Sequence, residues 1–195
     1  MTLGEFIRAA AGLKELKRAG WAEKLSMSDG ESVADHSFGA AITAMILSDA
    51  MGIDSERAVK MALLHDIAES EIGDITPDSM PHDKKEKLEA EAFLRIASML
   101  PEEMRAEYVS IWDEFCAGET PEARIVAQAD KLDMALQAVT YERAGRASRA
   151  GASMFVDAAS ASIKDKTAGA LLADITSHRK SGNGADGREN RASTV

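Results

Sequence analysis

Three observations predict an all-α fold for this chain of 195 residues. Alanine fills 35 positions while aromatic residues make up 5 % and proline only 4 positions, a balance that favours helix over strand. Apolar residues recur at three- and four-residue intervals through most of the chain, the period of a helix buried on one side. Capping residues and helix stops bracket those stretches.

Leu3, Phe6, Ile7, Ala10, Leu13 and Leu16 form one stripe, which predicts a first helix running until Gly20 stops it. Ser32 with Asp35 three residues on resembles a capping box, so a second helix runs from Val33 through Ala50 to a stop at Gly52. Asp54 or Ser55 caps a third, which places Ala58, Met61, Ala62, His65 and Glu69 on one face and carries His65 and Asp66 before Gly73 breaks it. Two prolines among small and polar residues make 73–81 a loop. Helices over 84–100 and 101–117 follow, divided by Pro101. Thr120 then caps a helix with Pro121 at its first position, running to about Arg143 with Val126, Asp130 and Met134 on one face. A last helical stretch covers roughly 152–180 with a weak point at Gly169. The charge-mixed segment 83–91 reads as the solvated face of its helix. The length predicts one domain over 1–180, and the polar, glycine-bearing 181–195 reads as a disordered tail.

Composition removes several functions. A formal charge of −10 and a pI near 4.9 disfavour a nonspecific grip on nucleic acid or on an anionic membrane. No apolar run approaches the ~20 residues of a membrane span. Glu5 and Arg8 interrupt the N-terminal apolar residues, so no secretory signal is expected and the cytoplasm is the default. A single cysteine, Cys116, excludes an internal disulfide and a cysteine-built zinc site. Following Ile111, Trp112 and Phe115, it reads as a buried structural thiol, while His82 and His178 read as surface residues.

His36, the pair His65-Asp66 and Asp130 lie on predicted helices among small and apolar neighbours. Carboxylates buried beside imidazoles without a partner are costly, and a divalent cation resolves the cost. Two histidines and two aspartates suit Mn²⁺, Co²⁺ or Mg²⁺, with Fe²⁺, Zn²⁺ and Ni²⁺ as further candidates, and leave coordination positions open. Glu69, one turn beyond His65, with Glu71 and Asp74 leading into the loop, would bring an acidic cluster to the same place. A phosphomonoester dianion repels hydroxide, so such a site would also need a cationic side chain, for which Arg18 and Lys131 are candidates. No serine or cysteine is paired with an obvious activating base, which favours direct attack by water.

Five strings in order resemble the metal-dependent HD-domain phosphohydrolases, and within them the YfbR-like 5'-deoxynucleotidases. They are Leu16-Lys17-Arg18-Ala19-Gly20-Trp21, Glu31-Ser32-Val33-Ala34-Asp35-His36-Ser37, Leu63-Leu64-His65-Asp66-Ile67-Ala68-Glu69, Gly73-Asp74-Ile75-Thr76-Pro77 and Gln128-Ala129-Asp130-Lys131-Leu132-Asp133, all within residues 13–143. The resemblance implies a compact helical bundle in which His36, His65, Asp66 and Asp130 are the metal ligands. It further implies that Glu69 and Asp74 are catalytic, with Glu69 aligning or deprotonating water and protonating the leaving sugar oxygen. Arg18, Trp21 and Glu114 fall where the family holds the nucleotide, and a homodimer is expected. The expected reaction is hydrolysis of deoxyribonucleoside 5'-monophosphates. Two alternatives stand beside it: the same centre acting on a phosphodiester, nucleoside triphosphate or alarmone, and a noncatalytic helical binding protein. The last should have lost a ligand or Glu69, and all are present.

Overall fold

The computed structural model describes residues 2–177 and 179. The expectations for His178 and for a tail over 181–195 therefore fall outside the described residues. The all-α reading holds: ten helices are present among the described residues, and the only β pairing there is an isolated antiparallel bridge between Lys17 and Ser32.

The first helix is shorter than its apolar stripe predicts. α1 (Leu3–Gly12) ends before Leu13, and α2 (Ala19–Leu25) begins beside the glycine that was expected to stop it. Between them, the Leu13 and Leu16 carbonyls accept from the Ala34 and Val33 N–H groups at 3.1 and 2.8 Å, and the Arg18 N–H donates to the Glu31 carbonyl at 3.1 Å. The first N–H groups of a helix lack partners within it, and these carbonyls supply them for α3 (Val33–Met51). The link from α1 to α2 thus fixes the start of the helix that carries His36.

α3 has the expected boundaries. Ser32 Oγ accepts from the Asp35 N–H at 3.1 Å while Asp35 Oδ2 accepts from the Ser32 N–H at 2.8 Å, and Gly52 closes the helix at φ 69°. Asp54 caps α4 (Ser55–Leu64), which stops short of the histidine it was expected to carry. Bonds from the N–H groups of Ile67, Glu69, Ser70 and Glu71 to carbonyls three residues earlier tighten 64–71 into successive turns that lead into α5 (Glu69–Ile72). The His65 ring supports that departure by donating from Nδ1 to the Ala62 carbonyl at 2.6 Å. His65 and Asp66 therefore sit in a tight turn rather than on a helix.

After the loop come α6 (His82–Ala97) and α7 (Glu102–Ala117), whose Phe93 and Trp112 rings stack at 4.2 Å and 10°. Cys116 corrects the expectation of a buried thiol: it is exposed, in a last turn of α7 where residues 116–119 have all left the core. α8 (Pro121–Arg143) begins as predicted, with Thr120 Oγ1 accepting from the Ala123 N–H at 3.2 Å. The final stretch divides into α9 (Arg149–Ser162) and α10 (Lys166–Ser177), and the break falls at 163–165 instead of at Gly169. Gln128 Oε1 explains the place: it accepts from the Lys164 and Asp165 N–H groups at 3.1 and 2.7 Å, drawing that link onto α8. Asp165 Oδ1 then takes the Thr167 and Ala168 N–H groups, which start α10.

α8 is the axis of the packing. It meets α3, α4, α7, α9 and α10, and its side chains enter all three apolar clusters. Ala123, Ala129, Ala135 and Ala138 on α8, with Ala40 and Ala44 on α3, are fully buried. Small side chains at such contacts let helices approach closely, which gives the abundant alanine a packing role beyond its helix propensity. No helix among the described residues is long and apolar enough to cross a membrane.

Candidate active site

The α3 N-terminus, the turn after α4 and the middle of α8 bring His36, His65, Asp66 and Asp130 together. His36 is fully buried and His65 nearly so, with ring centroids 5.4 Å apart. His36 Nε2 lies 3.2 Å from Asp130 Oδ1 and 3.8 Å from Asp66 Oδ2, and His65 Nε2 lies 3.2 Å from Asp66 Oδ2. Both Nε2 atoms are buried and make no hydrogen bond.

Their opposite ring nitrogens explain the orientation. His65 Nδ1 donates to the Ala62 carbonyl, and His36 Nδ1 donates to Asp133 Oδ2 at 2.8 Å. A carbonyl or carboxylate oxygen accepts, so Nδ1 carries a hydrogen in both rings, and the neutral form of each ring turns its Nε2 lone pair to the aspartates. Two orphaned imidazole nitrogens beside two carboxylates form the donor set that a divalent cation takes. His36, His65 and Asp66 also present ligand atoms all within 4.8 Å of one another.

Electrostatics point the same way. Burial opposes the positive His36 ring, but Asp130 and Asp133 outweigh it and raise its pKa to about 9. Burial likewise opposes ionisation of Asp66, yet His65, Arg18 and His36 hold its carboxyl below the usual range. Asp130 is held well below that range by Lys131 and His36, again against burial. In the protein alone, a proton on the His36 imidazole and the nearby cationic side chains balance the carboxylate charge that a bound cation would otherwise balance.

Glu69 opens α5 and is 3 % exposed, with Oε2 buried and without a hydrogen bond. Burial, then the Asp66 and Asp74 charges, push its carboxyl up to about 10, so it holds a proton at neutral pH. Asp74 Oδ2 accepts from the Ala19 N–H at 2.7 Å, capping α2 beside the site. Arg18 reaches Asp66 Oδ2 from Nη1 at 3.3 Å, and Lys131 Nζ reaches Asp130 Oδ2 at 2.8 Å.

Arg18, Asp66, Glu69, Asp74, Asp130 and Lys131 line a cleft of ≈ 460 Å³. Arg18, Lys24, Lys85 and Lys131 bring positive charge to it, and Lys24 is paired with Asp78 of the 73–81 loop. Trp21, Met134, Met154 and Phe155 make its apolar wall. Trp21 is held rather than free: its Nε1 donates to Glu31 Oε1 at 3.0 Å, Tyr141 meets its edge, and Phe155 packs at 4.2 Å.

Glu114 is the sequence-selected residue that the structure takes elsewhere. It pairs with Arg57, whose Nε donates at 2.6 Å, accepts from Thr120 Oγ1 at 2.6 Å, and does not line the cleft. It joins α7 to the starts of α4 and α8. Four contributors were not singled out from the sequence: Asp133, Lys24, Lys85 and the α9 wall of Met154, Phe155 and Ala158. Asp133 was visible three residues after Asp130 in the same string, whereas the α9 residues carry no local signal.

Residues 10–171 match the HD domain family. The chain is 38 % identical over 142 residues to human 5'-deoxynucleotidase HDDC2, covering 72 % of this chain and 69 % of that protein. It is 34 % identical over 148 residues to 5'-deoxynucleotidase hdd1 of Schizosaccharomyces pombe, covering 73 % and 74 %. Among solved structures, a conserved hypothetical protein from Pyrococcus furiosus is similar with a TM-score of 0.71 and 33 % identity over 90 % of this chain and 98 % of that one. Another, named "Predicted metal-dependent phosphohydrolase", from Magnetospirillum magnetotacticum MS-1, gives 0.64 and 27 % over 90 % and 92 %. With its paired histidines and aspartates and this match over most of its length, the chain belongs to the HD domain family.

Proposed function

We propose that this protein is a divalent-metal-dependent 5'-deoxynucleotidase, releasing phosphate from deoxyribonucleoside 5'-monophosphates. One observation carries the reading: the buried, unbonded Nε2 atoms of His36 and His65 meet Asp66 and Asp130, and those two aspartates line a cleft with cationic side chains and an aromatic wall. The cleft lies within the ~300–1,000 Å³ usual for small-molecule sites. The names of the curated relatives support the substrate class.

His36, His65, Asp66 and Asp130 would hold the cation, with Mn²⁺, Co²⁺ and Mg²⁺ as first candidates for this nitrogen and oxygen donor set. A divalent ion there supplies charge against the phosphoryl oxygens and makes water a better nucleophile near neutral pH. Arg18 offers its guanidinium to phosphate oxygens while tied to Asp66, and Lys131 adds a second positive group. Glu69 passes its proton to the sugar O5' as the P–O5' bond breaks and the water oxygen bonds to phosphorus, and the proton that this water gives up returns to the Glu69 carboxylate, so that Glu69 serves the attacking water as well as the leaving oxygen. Asp74 adds negative charge beside Glu69 and fixes α2, and thereby Arg18 and Trp21.

Phe155, packed against the buried Trp21, offers the nucleoside apolar surface. Phe155→Ala should raise KM about tenfold with kcat little changed, the signature of lost uniform binding. Phe155→Leu should fall between, and steady-state kinetics on one deoxynucleotide would measure both. The reading also includes a homodimer, supported by Phe38, Ile42 and Ile46, which are 66 %, 44 % and 55 % exposed and recur every four residues along α3.

The experiment that tests the function is phosphate release from deoxy- and ribonucleoside 5'-monophosphates with Mn²⁺, Co²⁺ or Mg²⁺. Release from the deoxy compounds is expected, and none from any monophosphate by metal-loaded protein would overturn the reading.

A further inference from the structure

Two features surround His36 on the side away from the proposed ligands. Asp133, one turn beyond Asp130 on α8, accepts the His36 Nδ1 hydrogen at 2.8 Å, and its side chain is 12 % exposed. Gly39, on the next turn of α3, faces that carboxylate. A Cβ built there would lie 1.9 Å from Asp133 Oδ1 and 2.7 Å from its Cγ, far inside van der Waals contact. The obstructing atoms belong to a short side chain that is itself bonded to His36. Gly39 has ordinary helical backbone, so its missing side chain serves the close approach rather than a left-handed turn.

The two histidines are also held by different chemistry. His65 donates to a backbone carbonyl, fixed by the local turn, whereas His36 donates to a carboxylate from a helix 97 residues away in sequence. A carboxylate partner makes the opposite nitrogen a stronger donor as well as fixing the ring. The contact is also specific in its reach: α3 and α8 must approach until only hydrogen is tolerated at position 39.

We propose that Asp133 is a positioning residue that orients His36 and strengthens its Nε2 as a ligand, and that Gly39 is the gap between α3 and α8 that admits it. This rests on the metal reading of His36 and is independent of which phosphate ester is the substrate. Asp133→Asn keeps size and an acceptor oxygen but removes the charge. Gly39→Ala keeps every charge and displaces the carboxylate sterically.

The test is calorimetric titration of metal-free, full-length protein with Mn²⁺, beside a thermal melt of each variant. Both variants should weaken Mn²⁺ binding by about 10- to 100-fold, the range for lost outer-shell partners of a ligating histidine. Gln128→Ala, which breaks the hold of α8 on the α9–α10 link, is the structural comparison. It should lower Tm while leaving the Mn²⁺ affinity within about twofold of wild type, a difference under ~0.5 kcal/mol. If Gly39→Ala does not fold, the isosteric Asp133→Asn decides alone. A folded Asp133→Asn that binds Mn²⁺ as tightly as wild type overturns the proposal while leaving the metal reading intact. Wild-type protein that takes up no Mn²⁺, Co²⁺ or Mg²⁺ overturns the metal reading and this inference together.

Discussion

Glu69→Gln should lower kcat by about 10²- to 10⁴-fold, the usual contribution of a positioned general acid or base. The same substitution should make the metal-free protein more stable at neutral and alkaline pH. The wild-type carboxyl is 3 % exposed, and burial, Asp66 and Asp74 raise its folded pKa to about 10. An ordinary unfolded glutamate titrates near ~4.3. The folded state therefore binds this proton more tightly, and stability from the group is fully present below the unfolded pKa. That contribution is lost progressively as pH rises toward about 10. Glutamine keeps the shape and never ionises, so metal-free Glu69→Gln should show a flatter decline of Tm between pH 5 and pH 9. Melts across that interval, with phosphate-release rates on the same preparations, check both parts. Parallel Tm curves would remove the assigned proton from Glu69, and undiminished kcat would remove its catalytic role. The opposed effects have one source, because a carboxyl kept protonated near other carboxylates is useful for proton transfer and unfavourable for folding.

The residues of this site were legible where their signals are local. The Ser32–Asp35 box and Thr120–Pro121 mark the starts of the helices that carry His36 and Asp130, and both starts fall where expected. Histidine is scarce, 4 in the chain, so two in ordered strings with acidic neighbours stood out. Readings failed where a distant partner redirected the chain. Leu13 and Leu16 continue the apolar period of α1, but their carbonyls are taken by the start of α3. His65 fits the face of α4, yet its ring bonds Ala62 and the backbone shortens into turns. Gly169 is the weaker helix former, but Gln128, 35 residues before the break, sets where α9 ends. Glu114 stood in an attractive string and is claimed by Arg57 from another helix. Gly39 is the sharpest case: an ordinary glycine in a helical sequence becomes informative only when Asp133 lies where its Cβ would be.

Asp66→Asn separates metal binding from the later chemistry. Asp66 is the carboxylate common to the centre, with its Oδ2 3.2 Å from His65 Nε2, 3.8 Å from His36 Nε2 and 3.3 Å from Arg18 Nη1. Asparagine preserves the volume and one acceptor oxygen but removes the charge, and its amide nitrogen is no ligand for a hard cation. A cation that binds only the folded state stabilises it by about 2.7 kcal/mol at a free concentration 100 times its dissociation constant. For a protein of this size each kcal/mol is about 2–4 °C in Tm. Wild type should therefore gain roughly 5–10 °C with Mn²⁺ at that excess. Asp66→Asn should gain almost nothing at the same concentration, while Glu69→Gln should keep most of the gain. A melt with and without Mn²⁺ distinguishes the three proteins before any substrate is added. Equal stabilisation of wild type and Asp66→Asn would place the cation elsewhere. Loss of the gain in Glu69→Gln as well would make Glu69 a ligand instead of the proton carrier. The expected pattern, loss in one and retention in the other, assigns charge binding to the His36, His65, Asp66 and Asp130 cluster and proton transfer to the buried carboxyl beside it.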